Sequence, residues 1–129
     1  MVKTNEENLR RDMLMSLEYC EKFGKHHDLV GYHFINIADI IIKKSNITLP
    51  LYLLDDMRQE AICEMLRMLN RMNEEYISRI DDIYNYMYRI AVKAIFTQVK
   101  EIRHNNRVMA EIVEFIESEK MNFIIEETL

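Results

Sequence analysis

An all-α fold, one bundle of about five helices, is what this 129-residue chain predicts. Three observations carry that expectation. The chain has only two Gly and one Pro, too few for the turns of a sandwich or barrel. It is rich in helix-forming Met, Leu, Ile, Glu and Lys. Its apolar residues recur at three- and four-residue steps. With 49% hydrophobic residues, one core is expected and extended disorder is not.

The first helix is predicted from about Glu6 to Phe23, with Leu9, Met13, Leu17 and Cys20 on one face and Gly24 stopping it. The second runs from Asp28, expected to cap its own N-terminus, to about Lys44, with Val30, Phe34, Ile37 and Ile41 inward. Ser45-Asn46-Ile47-Thr48 interrupts the pattern, and Pro50 opens a third helix. That helix carries Leu54, Met57, Ala61, Met65, Met68 and Met72 inward and ends near Asn73. A polar connection over 73–79 leads into a fourth helix, about Ile80 to His104. Ile80, Ile83, Tyr84, Met87, Ile90, Ala91, Ala94, Ile95 and Ile102 form its core half. A last helix, about Arg107 to Lys120, turns Met109, Ile112, Val113 and Ile116 inward. The expected organisation is therefore a helical domain over 1–120 and a short hydrophobic and acidic tail over 121–129.

Several function classes are disfavoured by the same residues. No apolar run approaches the ~20 residues of a membrane span, and the polar start MVKTNEENLRRD lacks the apolar stretch of a secretory signal, so a soluble intracellular protein is expected. Cys20 and Cys63 lack metal-type spacing and are expected as reduced, buried thiols. The four histidines, His26, His27, His33 and His104, do not form a metalloprotease-type helix motif, and no metal or other cofactor is predicted. Neither a phosphate loop nor a GxSxG turn is present, so no catalytic residue is assigned and the chain is expected not to be an enzyme. The acid pairs Asp55-Asp56, Glu74-Glu75 and Asp81-Asp82 fall near helix starts, where the helix dipole accounts for them.

Charge is unevenly distributed. The formal net charge of −5 divides as −4 over residues 1–82, +4 over 83–109 and −5 over 110–129. The basic block is the outer arc of the predicted fourth helix, which collects Tyr86, Arg89, Lys93, Phe96, Thr97, Lys100, Arg103 and His104. Two readings of this arc stay open. Any surface helix needs a polar face; alternatively, cations of one sign interleaved with aromatics can neutralise phosphates and stack on unpaired bases. The third helix likewise carries Asp55, Asp56, Gln59, Glu60 and Glu64 opposite its apolar face, either as a solvated surface or as a dock for a basic helix.

Several segments resemble a known family. Asp56-Met57-Arg58-Gln59-Glu60-Ala61, followed by Ile62 and Leu66, is similar to the DLxQEG stretch in region 2 of sigma factors. Ile41-Ile42-Lys43-Lys44-Ser45-Asn46 resembles the IAKKY segment before it, and Tyr86-Met87-Tyr88-Arg89-Ile90-Ala91 the WLYRIA run after it. The likeness is closer to the late-transcription sigma factors of T-even-like bacteriophages, region-2-like proteins without the −35-reading domain. Asp28-Leu29-Val30-Gly31, Ile37-Ala38-Asp39, Ala94-Ile95-Phe96 and Val99-Lys100-Glu101-Ile102-Arg103 follow in that family's order, although this chain carries fewer cations than its IKKERK pattern.

The resemblance implies a phage transcription initiation factor in the cytoplasm of an infected bacterium. Asp56, Gln59, Glu60, Ile62 and Leu66 would bind the β′ coiled coil of RNA polymerase core. Arg89, Lys93, Lys100 and Arg103 would contact phosphates of an AT-rich −10 promoter element, with Tyr86, Tyr88 and Phe96 against exposed bases. Phe123, Ile124 and Ile125 would bind a sliding clamp, and a late coactivator would supply what the missing −35-reading domain does not. Two alternatives remain: a helical adaptor of the host-takeover kind that binds no DNA, and an accessory nucleic-acid-binding bundle without polymerase contact.

Overall fold

The computed structural model describes the backbone of residues 2–45 and 47–128 and the side chains of residues 5–45, 47–115, 117 and 118. It is all-helical: α1 (Val2–Phe23), α2 (Asp28–Lys44), α3 (Leu51–Arg71), α4 (Glu74–Arg79) and α5 (Ile83–Thr128), with no strand among the described residues. The chain divides into two compact units, Met1–Phe96 and Thr97–Leu129.

In the first unit α2 packs against both α1 and α3, and α4 packs against α1. Its core is built from rows four residues apart. Val30, Phe34, Ile37, Ala38 and Ile41 are buried on α2, Met57, Ala61, Met65 and Leu69 on α3, and Ile83, Met87, Ala91 and Ile95 on α5. A four-residue step advances only slightly round the helix, so each row is a narrow strip that a neighbouring helix can cover. On α1 the buried set is Leu9, Asp12, Met13 and Ser16, whereas Leu17 and Cys20 are only half-buried.

The helix ends follow local chemistry, with several corrections to the expected boundaries. Gly24 closes α1 with φ 72° and donates to Cys20 O at 2.8 Å, a left-handed stop that a side chain would strain. His27, not Asp28, caps α2: its Nδ1 accepts the Leu29 amide at 3.1 Å. Pro50 starts α3, its carbonyl accepting from Leu53 and Leu54.

The connection expected over 73–79 is instead helical, because Asn73 Oδ1 accepts the Tyr76 amide at 2.7 Å and Glu74-Glu75 occupy the first turn. The two helices expected over 80–120 are one helix of 46 residues. Asn105-Asn106 lower helix propensity but neither remove an amide donor nor favour a left-handed residue strongly enough to end the helix. The backbone is helical through residues 121–128 to Thr128.

Candidate functional site

On α3 the row Met57, Ala61, Met65 and Leu69 faces the core, which turns Asp55, Asp56, Gln59 and Cys63 outward as exposed side chains. Cys63 is therefore exposed, contrary to the buried thiol expected, while Cys20 is half-buried; both are free. Glu60, Ile62 and Leu66 are half-buried.

These five sequence-predicted docking residues do not share one environment. Glu60 faces Arg67 at 3.5 Å, and Arg67 pairs more closely with Glu64 at 2.6 Å, so part of the acidic surface is already compensated. Leu66 instead lines an open groove of about 420 Å³ together with Val30, Gly31 and Ile35 of α2 and the His26-His27 turn. Asp56 and Gln59 remain on the outer face. Arg58 reaches Asp39 of α2 at 3.4 Å, an exposed pair that adds little to stability.

The aromatic and cationic arc begins where α4 gives way to α5. Asp82 Oδ1 accepts the Asn85 amide at 2.9 Å and its carbonyl accepts from Tyr86, which starts α5. Arg10 of α1 spans the junction: its guanidinium donates to the carbonyls of Ile77 at 2.5 Å, Ile80 at 2.6 Å and Asp81 at 3.1 Å. Glu6 pairs with that guanidinium and accepts the Ile83 amide at 3.4 Å. Carbonyls and amides left over at adjoining helix ends thus find partners on a third helix. Sequence periodicity places Arg10 on the polar side of α1 and says nothing of carbonyls some seventy residues away.

Fixed in this way, Tyr76 of α4 stands beside Tyr86 of α5, the rings edge-to-face at 6.3 Å and the hydroxyls 3.1 Å apart. The hydrogen bond with Tyr76, then burial, raises the Tyr86 phenol above its ordinary pKa. Tyr84 and Tyr88 stack at 6.3 Å, and burial raises the Tyr84 phenol too. Further along α5, Arg89 and Lys93 are exposed and Phe96 is 44% exposed, while Tyr86 and Tyr88 are half-buried. Within the first unit, then, Tyr76, Tyr86, Arg89, Lys93 and Phe96 supply ring surface and positive charge at the exterior. Tyr76 is the member that sequence reading missed, because it lies in the segment expected to be a loop. Lys100 and Arg103 belong to the second unit, where both are exposed.

Three of the four histidines serve the fold. His33 Nε2 lies 2.6 Å from Asp12 Oδ2, and Arg11 Nε lies 3.2 Å from Oδ1. Burial opposes charge on Asp12, but these hydrogen bonds from His33 and Arg11 outweigh it and hold the carboxyl below its ordinary pKa. Ser16 Oγ accepts the His27 amide at 3.1 Å, leaving its proton for His26 Nδ1 at 2.9 Å; His26 Nε2 in turn faces Asn70 Oδ1. His104 is exposed. No cluster of three metal-ligating side chains occurs among the described residues, and no described helix is long and apolar enough to cross a membrane.

In the second unit, Met109, Ile112 and Val113 are exposed rather than inward as the periodicity predicts, and Val108 and Phe115 are exposed as well. The side chains of Ile116, Phe123, Ile124 and Ile125, including the expected clamp-binding set, lie outside the described residues. Comparison of the chain with protein-family models, with curated proteins and with solved structures finds no match in any of the three.

Proposed function

We propose that the chain is a region-2-only, sigma-like transcription initiation factor of the late T-even-like phage type, a non-catalytic protein working in the cytoplasm of an infected bacterium. It binds RNA polymerase core through α3, with Asp56 and Gln59 on the outer face, Glu60 at its edge and Ile62 and Leu66 on its apolar flank. It directs the polymerase to an AT-rich −10-type late promoter through Arg89, Lys93, Lys100 and Arg103 on phosphates and Tyr86, Tyr88 and Phe96 on bases. Phe123, Ile124 and Ile125 bind a sliding clamp, and a coactivator assists at double-stranded promoters.

The observation that supports this reading is that several of the residues the resemblance implicates are exposed. Asp56 and Gln59 are exposed on α3, and Arg89, Lys93 and Phe96 are exposed on α5 of the same compact unit.

The test is a titration against sigma-free bacterial RNA polymerase core in competition with the housekeeping sigma. Wild type competes, and Gln59→Ala combined with Glu60→Ala removes that competition while the helical circular dichroism is unchanged. Equal affinity of the double variant defeats the α3 assignment, and no binding of wild type to a plausible host's core favours the helical adaptor. On promoter DNA, Arg89→Ala weakens binding and lowers the slope of log K against log salt by about one; an unchanged slope removes the arc from the interface.

A further inference from the structure

Within the first unit a second open cleft, of about 440 Å³, is lined by the C-terminal half of α1 and by the junction of α3 with α4. It shares no residue with the acidic face of α3 or with the aromatic and cationic arc. Leu14 and Leu17 of α1 and the buried Met72 give it an apolar wall, and its volume is in the range of small-ligand sites. Glu18 and Glu21 of α1 and Glu74 of α4 line it as exposed side chains. None of these three carboxylates has an ion pair or hydrogen bond among the described residues, and no described Lys or Arg lines the cleft.

This lining selects a ligand by charge and by shape. Carboxylates of one sign on the walls of a cleft concentrate cations and repel anions. The amides agree with that sign. Asn70 Oδ1 accepts from His26 Nε2 and Asn73 Oδ1 accepts the Tyr76 amide at 2.7 Å, and each oxygen keeps a second lone pair for another donor. His26 is occupied at its other nitrogen too, where Nδ1 faces Ser16 Oγ at 2.9 Å. A single metal ion fits poorly, because no three metal-ligating side chains converge among the described residues. The carboxylates instead stand on two helices with hydrocarbon beside them. A cation whose charges are separated by a methylene chain meets both conditions.

We propose that this cleft binds an aliphatic diamine or a longer polyamine. One ammonium group pairs with Glu18 and Glu21, another with Glu74, and the methylenes between them lie on Leu14, Leu17 and Met72. Each terminal ammonium brings three donors, which the carboxylates and the two amide oxygens accept. Exposed ion pairs are individually weak, so binding depends on both charges and the chain acting together. The inference stands independently of any polymerase or promoter binding.

Methionine-methyl NMR of the full chain, titrated with putrescine at neutral pH and constant ionic strength, tests the site. The Met72 methyl signal moves saturably, whereas that of Met87, fully buried and outside the cleft, does not. Glu21→Gln combined with Glu74→Gln removes one exposed carboxylate from each helix and raises the dissociation constant about tenfold, with the helical circular dichroism unchanged. On the wild-type chain butylamine, with one charge, binds about tenfold more weakly than putrescine. Butanediol, with none, gives no saturable shift. These two ligands probe the site without depending on how the variant folds. A Met72 signal that does not move, undiminished affinity in the double variant, or butylamine or magnesium chloride binding as tightly as putrescine would each overturn the proposal.

Discussion

The two stretches of α5 that belong to different units differ in what their apolar residues do. In the first unit Ile83, Met87, Ala91 and Ile95 are fully buried along one row; in the second, Val108, Met109, Ile112 and Val113 repeat a similar helical periodicity and are exposed. Local propensity and amphipathic spacing are comparable in the two stretches. What separates them is whether other helices of the same unit cover the face. A hydrophobic period defines which side of a helix seeks cover, and tertiary structure or a partner decides whether it is found.

The sharpest way to break this comparison is to truncate one residue from each stretch. Met87→Ala, at a fully buried position, is expected to lower unfolding free energy by about 2–5 kcal/mol. Ile112→Ala, at an exposed position, is expected to change it by less than about 0.5 kcal/mol. Urea denaturation followed by circular dichroism reads both. Equal losses would mean that the second stretch is covered within the monomer, and the contrast between the two would vanish.

The junction that opens α5 comes next in size. Arg10→Met keeps much of the apolar stem but withdraws the donors that satisfy the carbonyls of Ile77, Ile80 and Asp81. A loss of about 3 kcal/mol is expected, because several charge-assisted bonds go and their acceptors are left in a partly buried place. Arg11→Met, one residue along with a mostly exposed side chain, serves as the control and should cost much less. Similar losses for the two would show that the junction does not depend on the clamp.

What could be read from the sequence follows the same division. α2 was legible to its boundaries and α3 nearly so, because their apolar rows are periodic and Pro50 marks a start. The junction between α3 and α5 was not, because its stability comes from Arg10 and Glu6, remote in sequence, and from an Asn73 cap that the polar run concealed. The outward placement of Asp56, Gln59, Arg89 and Lys93 followed from periodicity. Their neighbours did not: Leu66 in a groove with α2, Arg67 beside Glu60, and Tyr76 against Tyr86 all need the fold. Likewise His26, His27 and His33, read only as failed metal ligands, turn out to be a cap and two polar links, since a hydrogen bond from α1 to α2 or to the turn before it leaves no periodic trace.

One of those links makes the first unit sensitive to acid. Asp12 has a lower pKa in the fold than in the unfolded chain, so its contribution is complete above the ordinary carboxylate range and disappears as pH falls through the folded value. Asp12→Asn should therefore be less stable than wild type at neutral pH, by about 1–3 kcal/mol, with the difference shrinking on acidification. Urea midpoints for the two proteins across the acidic range give that difference directly. Parallel curves would mean that the carboxylate is not what His33 and Arg11 stabilise.

The smallest expected effect tests whether α4 sets the environment of the arc on α5. Tyr76 shares a hydrogen bond with Tyr86 and raises its phenol pKa, so the fold holds Tyr86 neutral more strongly than the unfolded chain does. A raised phenol pKa contributes stability that is complete below the unfolded value and lost as pH rises through the folded one. Tyr76→Phe keeps the ring but removes the hydroxyl, and is expected to cost about 1 kcal/mol at neutral pH. It should also move one tyrosine's ionisation back toward the ordinary range in an absorbance titration. Tyr84, raised by burial and by Tyr88 rather than by Tyr76, should titrate as before. If no tyrosine moves, the two hydroxyls do not share a proton, and the aromatic part of the arc is set by α5 alone.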